Sequence, residues 1–472
     1  MPKKMSRRQM LKSALVAAGG ALAGCAPKTI IVKETVEVEK TVKETVIVEK
    51  DVDKKAQMAV ELKANLVWDT FRQPGSGWNE ERVTTFKDKF PNIDVEFRPL
   101  VISGQQEAYG KMYAMHAAGD LGDICAFDPS HYHFPRAIEK GIIGPMTELI
   151  NSDGLDLTQW FPAFIEMQYH KGDIYGLPSW AWTGYDLFVA NALHFEEEGI
   201  DLPDPEKHDV TMDQIYEWAH HFYKPGSGPG AVDRYGLNLA GGDGGLTPLT
   251  RAFGGDTLNK EGTQCMLMEE GSIEALKFYY KLAVEDKILP AAGDLTGGNQ
   301  GGWAAGKLTM YHCGSLCVIN ANKAITDESL AKVSQILFPI REDGKIPSQL
   351  RGGTWNMNKG TKHPQACYEF IKHLAGKDGT IGFNLVGGNG ALGRPDVLPV
   401  LAATNPLYEG FLGNLANGMV IHNPANGRGR EYTDALSQWG AKMMDPTEVV
   451  PFEQGLQDLY DNVQKVLDME MP

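Results

Sequence analysis

The distribution of apolar and polar positions divides this chain into stretches with different periods. From Leu62 onward, short apolar runs bounded by turn residues, "NLVWDT" at 65–70 and "IDVEFRPL" at 93–100, predict strands. Between them Val83, Phe86 and Phe90 fall at helical spacing behind Asn79, a candidate helix cap. A helix is expected from Gln105 to about Ala118, then a strand in "DICAFDP" and a helix near Phe134 to Lys140. Strands alternating with helices imply βαβ units and an α/β sheet. In such sheets ligands collect beyond the carboxyl ends of the strands, here Trp68-Asp69 and Phe127-Asp128.

Further along, Thr211 and Gln214 form a capping-box pattern ahead of the stripe Met212, Ile215, Trp218 and Phe222. Ser272 is placed to cap a helix whose Ile273, Leu276, Tyr280 and Ala283 share a face, and Cys367, Phe370, Ile371 and Leu374 make another core stripe. Glycine-rich stretches at 226–230, 241–245 and 297–302 read as loops that supply turns.

The first sixty residues follow other rules. A basic start (Lys3, Lys4, Arg7, Arg8, Lys12), an apolar run from Leu11 to Ala23 and the exit Leu22-Ala23-Gly24-Cys25 make an export signal over 1–24. The run is too short to span a bilayer, which takes about 20 apolar residues. Arg7-Arg8 resembles a twin-arginine signal, with Met10 where an aromatic is usual, and Leu-Ala-Gly-Cys resembles the lipobox whose cysteine becomes the lipidated first residue. The mature protein is expected to begin at Cys25, anchored to the membrane by lipid alone. Residues 25–61 then form a tether in which Lys33–Val42 and Lys43–Val52 repeat one ten-residue pattern with aliphatics mainly on even positions. This is an extended spacer with a reach of up to about 100 Å at roughly 3.3 Å per residue. The competing reading, edge-to-edge pairing between neighbouring copies, follows from the same alternation.

Charge and composition narrow the partners. Removing the five basic residues of the leader takes the formal charge from −16 to −21, which repels nucleic acid and anionic lipid. A length of 472 residues exceeds what one core usually holds, so two lobes are expected. With Cys25 lipidated, Cys125, Cys265, Cys313, Cys317 and Cys367 remain, an odd number that leaves at least one unpaired within the chain. His312, Cys313 and Cys317 lack the second ligand pair that a zinc site requires, so no metal and no cofactor are expected. Gly-x-Ser-x-Gly, Walker and His-Glu-x-x-His motifs are absent. Gly388–Gly393 spells Gly-x-Gly-x-x-Gly, but a helical pattern precedes it and Pro395 and Pro399 follow, the wrong setting for a dinucleotide.

Carboxylates are plentiful enough for a glycosidase pair. The stronger signal is aromatic: Trp68, Phe71, Trp78, Trp180, Trp182 and Trp355 flank Gly, Pro or polar turn residues. Flat rings beside Asp, Asn and Arg grip sugars by covering the C–H face while polar groups bond the hydroxyls. For any single tryptophan the core remains the commoner setting.

Five stretches in order resemble family 1 of the extracellular solute-binding proteins, the receptors of carbohydrate-type ATP-binding-cassette importers. They are "GDLGDICAFDPSHYHFPRAIEKGIIGPMTELI" (119–150), "GDIYGLPSWAW" (172–182), "AFGGDTLNKEGT" (252–263), "AAGKLTMYHCGS" (304–315) and "RGGTWNMNKGTKHPQACYEFIKHL" (351–374). The resemblance implies a periplasmic-binding-protein-like fold of two α/β lobes closing by a hinge on a small ligand. It implies a first lobe of 62–179 plus 339–387 and a second of 180–338 plus 388–472. It also implies a cleft that receives Trp68, Asp69, Asp128, Trp180, Trp182 and Trp355. Ser315-Leu316 stand where several sugar-binding members carry an aromatic. The expected protein is a monomeric, non-enzymatic receptor on the outer face of the bacterial cytoplasmic membrane, passing a carbohydrate to an importer permease. A lipid-anchored glycoside hydrolase or lyase is the alternative. Replacing Cys25→Ser is expected to move the protein from the membrane pellet to the soluble fraction; unchanged pelleting in cells lacking the permease would contradict the lipid site.

Overall fold

The computed structural model describes residues 61–71, 77–228, 230–291, 293–387, 393–404, 408 and 411–470. The leader, Cys25, the repeat through Val52 and positions 388–392 of the glycine motif lie outside the described residues. The strands in chain order are β1 (Ala64–Thr70), β2 (Ile93–Pro99), β3 (Ile124–Cys125), β4 (Tyr169–His170), β5 (Asp173–Ile174), β6 (Leu177–Gly184) and β7 (Leu187–Asn191). After them come β8 (Lys224–Pro225), β9 (Val232–Asn238), β10 (Leu308–Cys313), β11 (Val333–Leu337), β12 (Ile346–Met357) and β13 (Gly418–Val420).

Two mixed sheets organise eleven of these strands into the expected two-lobe α/β architecture, and β4 and β5 form a separate antiparallel pair. One sheet has the order β13-β12-β3-β1-β2, with β6 also paired to β12; the other has the order β11-β7-β10-β9-β8. β1 runs parallel to β2 and β3, as βαβ crossovers require, with the helices Trp78–Lys89 and Gln105–Ala118 between them. In the second sheet β7 is buried on both faces. Leu187 and Val189 enter one core with Trp303 and Tyr311, while Phe188 and Ala190 enter another with Phe195, Ile215 and Phe222. A strand covered on both faces reads as a continuous apolar run, which accounts for the weak alternation of "LFVAN".

The lobes are joined where β6 lies antiparallel on β12, from Gln349 opposite Gly184 to Trp355 opposite Leu177, with an irregularity between Gly352 and Thr354. Only Tyr185 and Asp186 separate β6 from β7, and residues 338–345 connect β11 to β12. These are the crossing segments.

Local expectations met mixed outcomes. The capping box at Thr211 is formed, with the Gln214 amide N–H on the Thr211 hydroxyl at 3.2 Å and the Gln214 side chain returning to the Thr211 amide at 2.9 Å. Asn79 lies inside the first helix, which starts instead after Gly77 at φ 86°. Ser272 is not a cap: its hydroxyl donates to the Asp256 carbonyl at 2.7 Å. The glycine runs at 241–245 and 297–302 are parts of helices, Gly242–Ala252 and Gly298–Ala304. Burial of Leu246, Leu249 and Trp303 outweighs the poor helix propensity of glycine there. Cys313 and Cys317 form a disulfide, while Cys125, Cys265 and Cys367 are free and buried. Burial pushes the Cys265 and Cys367 thiols up to about 12, which keeps them unreactive.

Three tryptophans make the centre of the first lobe's core. Trp68 meets Trp355 at 5.5 Å and Trp78 at 6.2 Å between ring centroids, and Phe97 and Phe370 close the cluster at 5.2 and 5.3 Å. Trp68 and Trp355 are 0 and 1 % exposed, which corrects the expectation that they line the cleft. The reason is strand parity: β1 and β12 direct them against the helices that cover the sheet. Trp68→Ala or Trp355→Ala is therefore expected to cost about 3–5 kcal/mol in urea unfolding. Unchanged stability with weakened ligand binding would return these rings to the site.

Candidate functional site

A cleft of about 420 Å³ lies where the lobes face each other, within the size range of small-ligand sites. The first lobe supplies Gln106 and the turn Ser130, His131 and Tyr132 beyond β3. The facing wall supplies Asp243 and Gly244 at the start of helix Gly242–Ala252 and Tyr432 with Arg430 and Asp434 from helix Gly429–Met443, and the segment 421–424 enters after β13 of the first sheet. Arg351 enters from β12, the strand common to both walls.

Each group is held by its local structure. The Ser130 hydroxyl donates to the Gly352 carbonyl at 3.0 Å, which fixes the turn to the crossing strand. Gln106 donates to the Tyr132 hydroxyl, and His131 stacks on His133 at 5.1 Å. The Arg351 guanidinium donates from Nη2 to Asp243 Oδ2 at 2.9 Å and from Nε to Gln349 Oε1 at 2.9 Å, while Gln349 itself donates to Asp243. Its side chain is nonetheless 27 % exposed. Arg430 and Asp434 pair at 3.5 Å on the outer rim. Burial, followed by the charge of Arg351, lowers His131 to about 4, so the imidazole is neutral at physiological pH. Burial, Arg251 next, also lowers His422. The ionic groups on the walls thus neutralise one another, and what they present is hydrogen-bonding capacity without net charge.

The other expected site residues divide. Asp69 is fully buried and bidentate to Arg98 at 2.8 Å, also accepting the Gly122 amide at 2.6 Å; it is a structural ion pair and not a cleft group. Its position one residue after Trp68 gives it the opposite face of β1, where Arg98 of β2 is its register partner. Asp128 is also fully buried, accepting from Tyr109 at 3.0 Å and Gln105 at 2.5 Å, and sits behind the cleft turn where it positions that helix. Trp180 and Trp182 are half-buried on β6, on the face shared with Arg351, and neither is among the residues that line the cleft. Trp182 is directly opposite Arg351, and Trp180 crosses Gly353, where a β-carbon would come within 1.8 Å of the indole nitrogen. The glycine pair therefore makes room for a ring lying over the strand. Asp243, Arg351, Tyr132 and Tyr432 were not anticipated. Arg351 and Tyr132 lie within the stretches that carry the resemblance, whereas Asp243 was hidden in a glycine run read as a loop. His131-Tyr132-His133 contributes two cleft residues and one core residue. Among the described residues no group of three or more His, Cys, Asp or Glu is placed to hold a metal ion.

Residues 81–391 match the profile of the bacterial extracellular solute-binding proteins. The chain belongs to this family. It is a family of binding proteins, which sets aside the hydrolase or lyase alternative. Solved structures of similar fold include an ABC substrate-binding protein of Listeria monocytogenes in complex with cycloalternan (TM-score 0.67, 16 % identity, covering 87 % of this chain and 100 % of that one). An ABC transporter solute-binding protein of Thermotoga lettingae bound with α-D-tagatose superposes at TM-score 0.62 with 19 % identity, over 86 % of this chain and 100 % of its own. UgpB of Mycobacterium tuberculosis in complex with glycerophosphocholine gives 0.67 and 17 %, over 85 and 98 %. Comparison with curated proteins gave no match. Among the described residues of this solute-binding protein no helix is long and apolar enough to cross a membrane.

The two walls of this solute-binding protein's cleft touch at one end. Asn423 donates to the Pro129 carbonyl at 3.4 Å, and the Tyr132 ring lies on Gly429, where an added β-carbon would come within 2.6 Å of it. The nearest atoms are Tyr132 Cβ and two of its ring carbons, and the Cβ is fixed by the backbone and cannot swing aside. Gly429→Ala is expected to hold the lobes apart, raising the radius of gyration in small-angle scattering without loss of helical circular dichroism. An unchanged scattering profile would show that this contact does not limit closure.

Proposed function

We propose that this chain is the receptor of an ABC importer for a neutral carbohydrate, taken between the lobes 62–179 plus 339–387 and 180–338 plus 388–472. The observation that supports this most is the internal pairing of the cleft's charges, Asp243 with Arg351 and Arg430 with Asp434. A neutral polyol exchanges its water for such fixed donors and acceptors at little electrostatic cost, whereas a charged solute meets no uncompensated partner. The cycloalternan and tagatose bound by similarly folded proteins agree with this choice, and the glycerophosphocholine bound by a third marks the charged alternative. Trp180 and Trp182 are the stacking rings of this reading, and Arg351 its oriented donor. The protein acts as a monomer, tethered through lipid at Cys25 to the outer face of the cytoplasmic membrane, and hands its solute to the permease. It uses no cofactor and performs no chemistry.

A thermal-shift screen of neutral mono- and oligosaccharides, with glycerophosphocholine and sugar phosphates as charged controls, tests the proposal. A binding saccharide at a hundredfold over its Kd stabilises by about 2.7 kcal/mol. Trp182→Ala is then expected to weaken calorimetric affinity about tenfold, since each 1.4 kcal/mol of lost contact is a factor of ten, with little change in apo melting. Stabilisation by the charged controls alone, or turnover of a saccharide by pure protein, would overturn it.

A further inference from the structure

A second cavity, of about 510 Å³, lies in the other lobe where β9 ends at Asn238 and the helices Glu270–Tyr280 and Gly429–Met443 come together. No residue lines both this cavity and the cleft. Between Asn238 of the one and Asp243 of the other, Gly242 packs on Ser437, where an added β-carbon would come within 2.5 Å of the hydroxyl. Residues 281–285, which carry Ala283 to the cavity wall, wind as a π turn, and Lys287 follows in the left-handed region at φ 55°. Interruptions of this kind are frequent at functional sites.

The walls are apolar, formed by Ala283, Leu289, Pro290 and Met444, and the polar groups among them are left with acceptors to offer. Asn238 donates its side-chain amide to Asn299 Oδ1 at 2.6 Å, which leaves its own Oδ1 to accept. The Tyr279 hydroxyl donates to the Leu239 carbonyl at 3.2 Å and keeps its oxygen lone pairs. Asp445 Oδ1 accepts the Thr447 hydroxyl at 2.6 Å and the Thr447 amide at 2.8 Å, bonds that hold this half-buried carboxyl below its ordinary range and ionised. Its Oδ2 remains.

Asp445 is the only charged side chain among the described residues that line the cavity. Lys277, Lys281 and Lys442 of the bordering segments lie instead over the rings of Phe452, Tyr216 and Trp439, and Lys287 is exposed and does not line it. Helix Gly429–Met443 ends here, with Ala441 and Met444 on the wall, so the negative end of its dipole adds to the carboxylate. Apolar walls, acceptors and an uncompensated negative charge select a ligand that is cationic, rich in N–H donors and otherwise hydrocarbon.

We propose that this cavity binds a protonated organic amine, its ammonium group on Asp445 with Asn238 and Tyr279 as further acceptors, and its apolar body on Leu289, Pro290 and Met444. The site is separate from the carbohydrate cleft and does not depend on what the cleft binds.

Thermal shift and calorimetric titration of the full chain with cyclohexylammonium chloride test this, with cyclohexanol and cyclohexanecarboxylate as neutral and anionic counterparts of similar shape. Cyclohexylammonium is expected to bind and to raise the melting point, and its two counterparts to do neither. Asp445→Asn is expected to weaken that binding about tenfold, the order of a lost charge-assisted hydrogen bond. Ala441→Phe, at an exposed helix position on the wall, is expected to fill the cavity and abolish it. No binding of cyclohexylammonium, equal binding of the three compounds, or wild-type affinity in either variant would overturn the proposal.

Discussion

The antiparallel pairing of β6 with β12 is the constraint from which the rest of this molecule follows. Backbone hydrogen bonds fix the register, and with it the side of the ribbon on which every side chain falls. Trp180, Trp182 and Arg351 come to one face; Ala181 and Gly352 come to the other, where Phe164 packs beneath them. A slip of one residue would bury the arginine and expose the alanine. Because β12 continues into the first sheet at Asn356 opposite Cys125, and β6 leads in two residues to β7 of the second, each lobe inherits its position from the same ribbon. One apolar cluster runs through this junction, joining Phe161, Phe164 and Leu350 to Leu187, Val189 and Trp303, so the ribbon and the core beneath it carry the connection together.

The two lobes spend their polar residues differently. In the first, the carboxylates at strand ends are committed to structure: Asp69 to Arg98, and Asp128 to Tyr109 and Gln105. A buried ion leaves water only when its partners replace the lost hydration, and Arg98 with the Gly122 amide does so for Asp69. In the second, Asp243 stands at the first turn of helix Gly242–Ala252, where the helix dipole favours a negative charge, and offers that charge to Arg351. The pair orients the guanidinium without consuming its exposure. Preorganised groups of this kind bind with less ordering cost than free side chains, so the cleft's recognition is built into the apo fold.

Much of the architecture was legible in the sequence because its signals are local. The alternation of strands and helices over 65–140, the capping box at Thr211 and the stripe of Cys367, Phe370, Ile371 and Leu374 are consequences of backbone period and of side chains a few residues apart, and the structure contains them. The order of five motifs was enough to indicate the family and two lobes. The glycine runs misled, since propensity describes an isolated segment and Leu246, Leu249 and Trp303 are paid back by burial against elements far along the chain.

The site itself was legible only in part. Sequence placed Trp180 and Trp182 on a crossing segment, because the motif around them is continuous. It could not separate these rings from Trp68 and Trp355, whose neighbours in the chain look much the same but whose faces are covered by Trp78, Phe97 and Phe370. Nor could it join Asp243 to Arg351, 108 residues apart, or set Tyr132 against Gly429. What the sequence by itself determined was the set of strands and helices, the acidic balance and the kind of fold, all written in periodicities and compositions. Which aromatic rings are fully buried, which carboxylates are neutralised and which residues meet across the cleft were decided by tertiary structure, because burial and pairing are properties of residues brought together from distant parts of the chain.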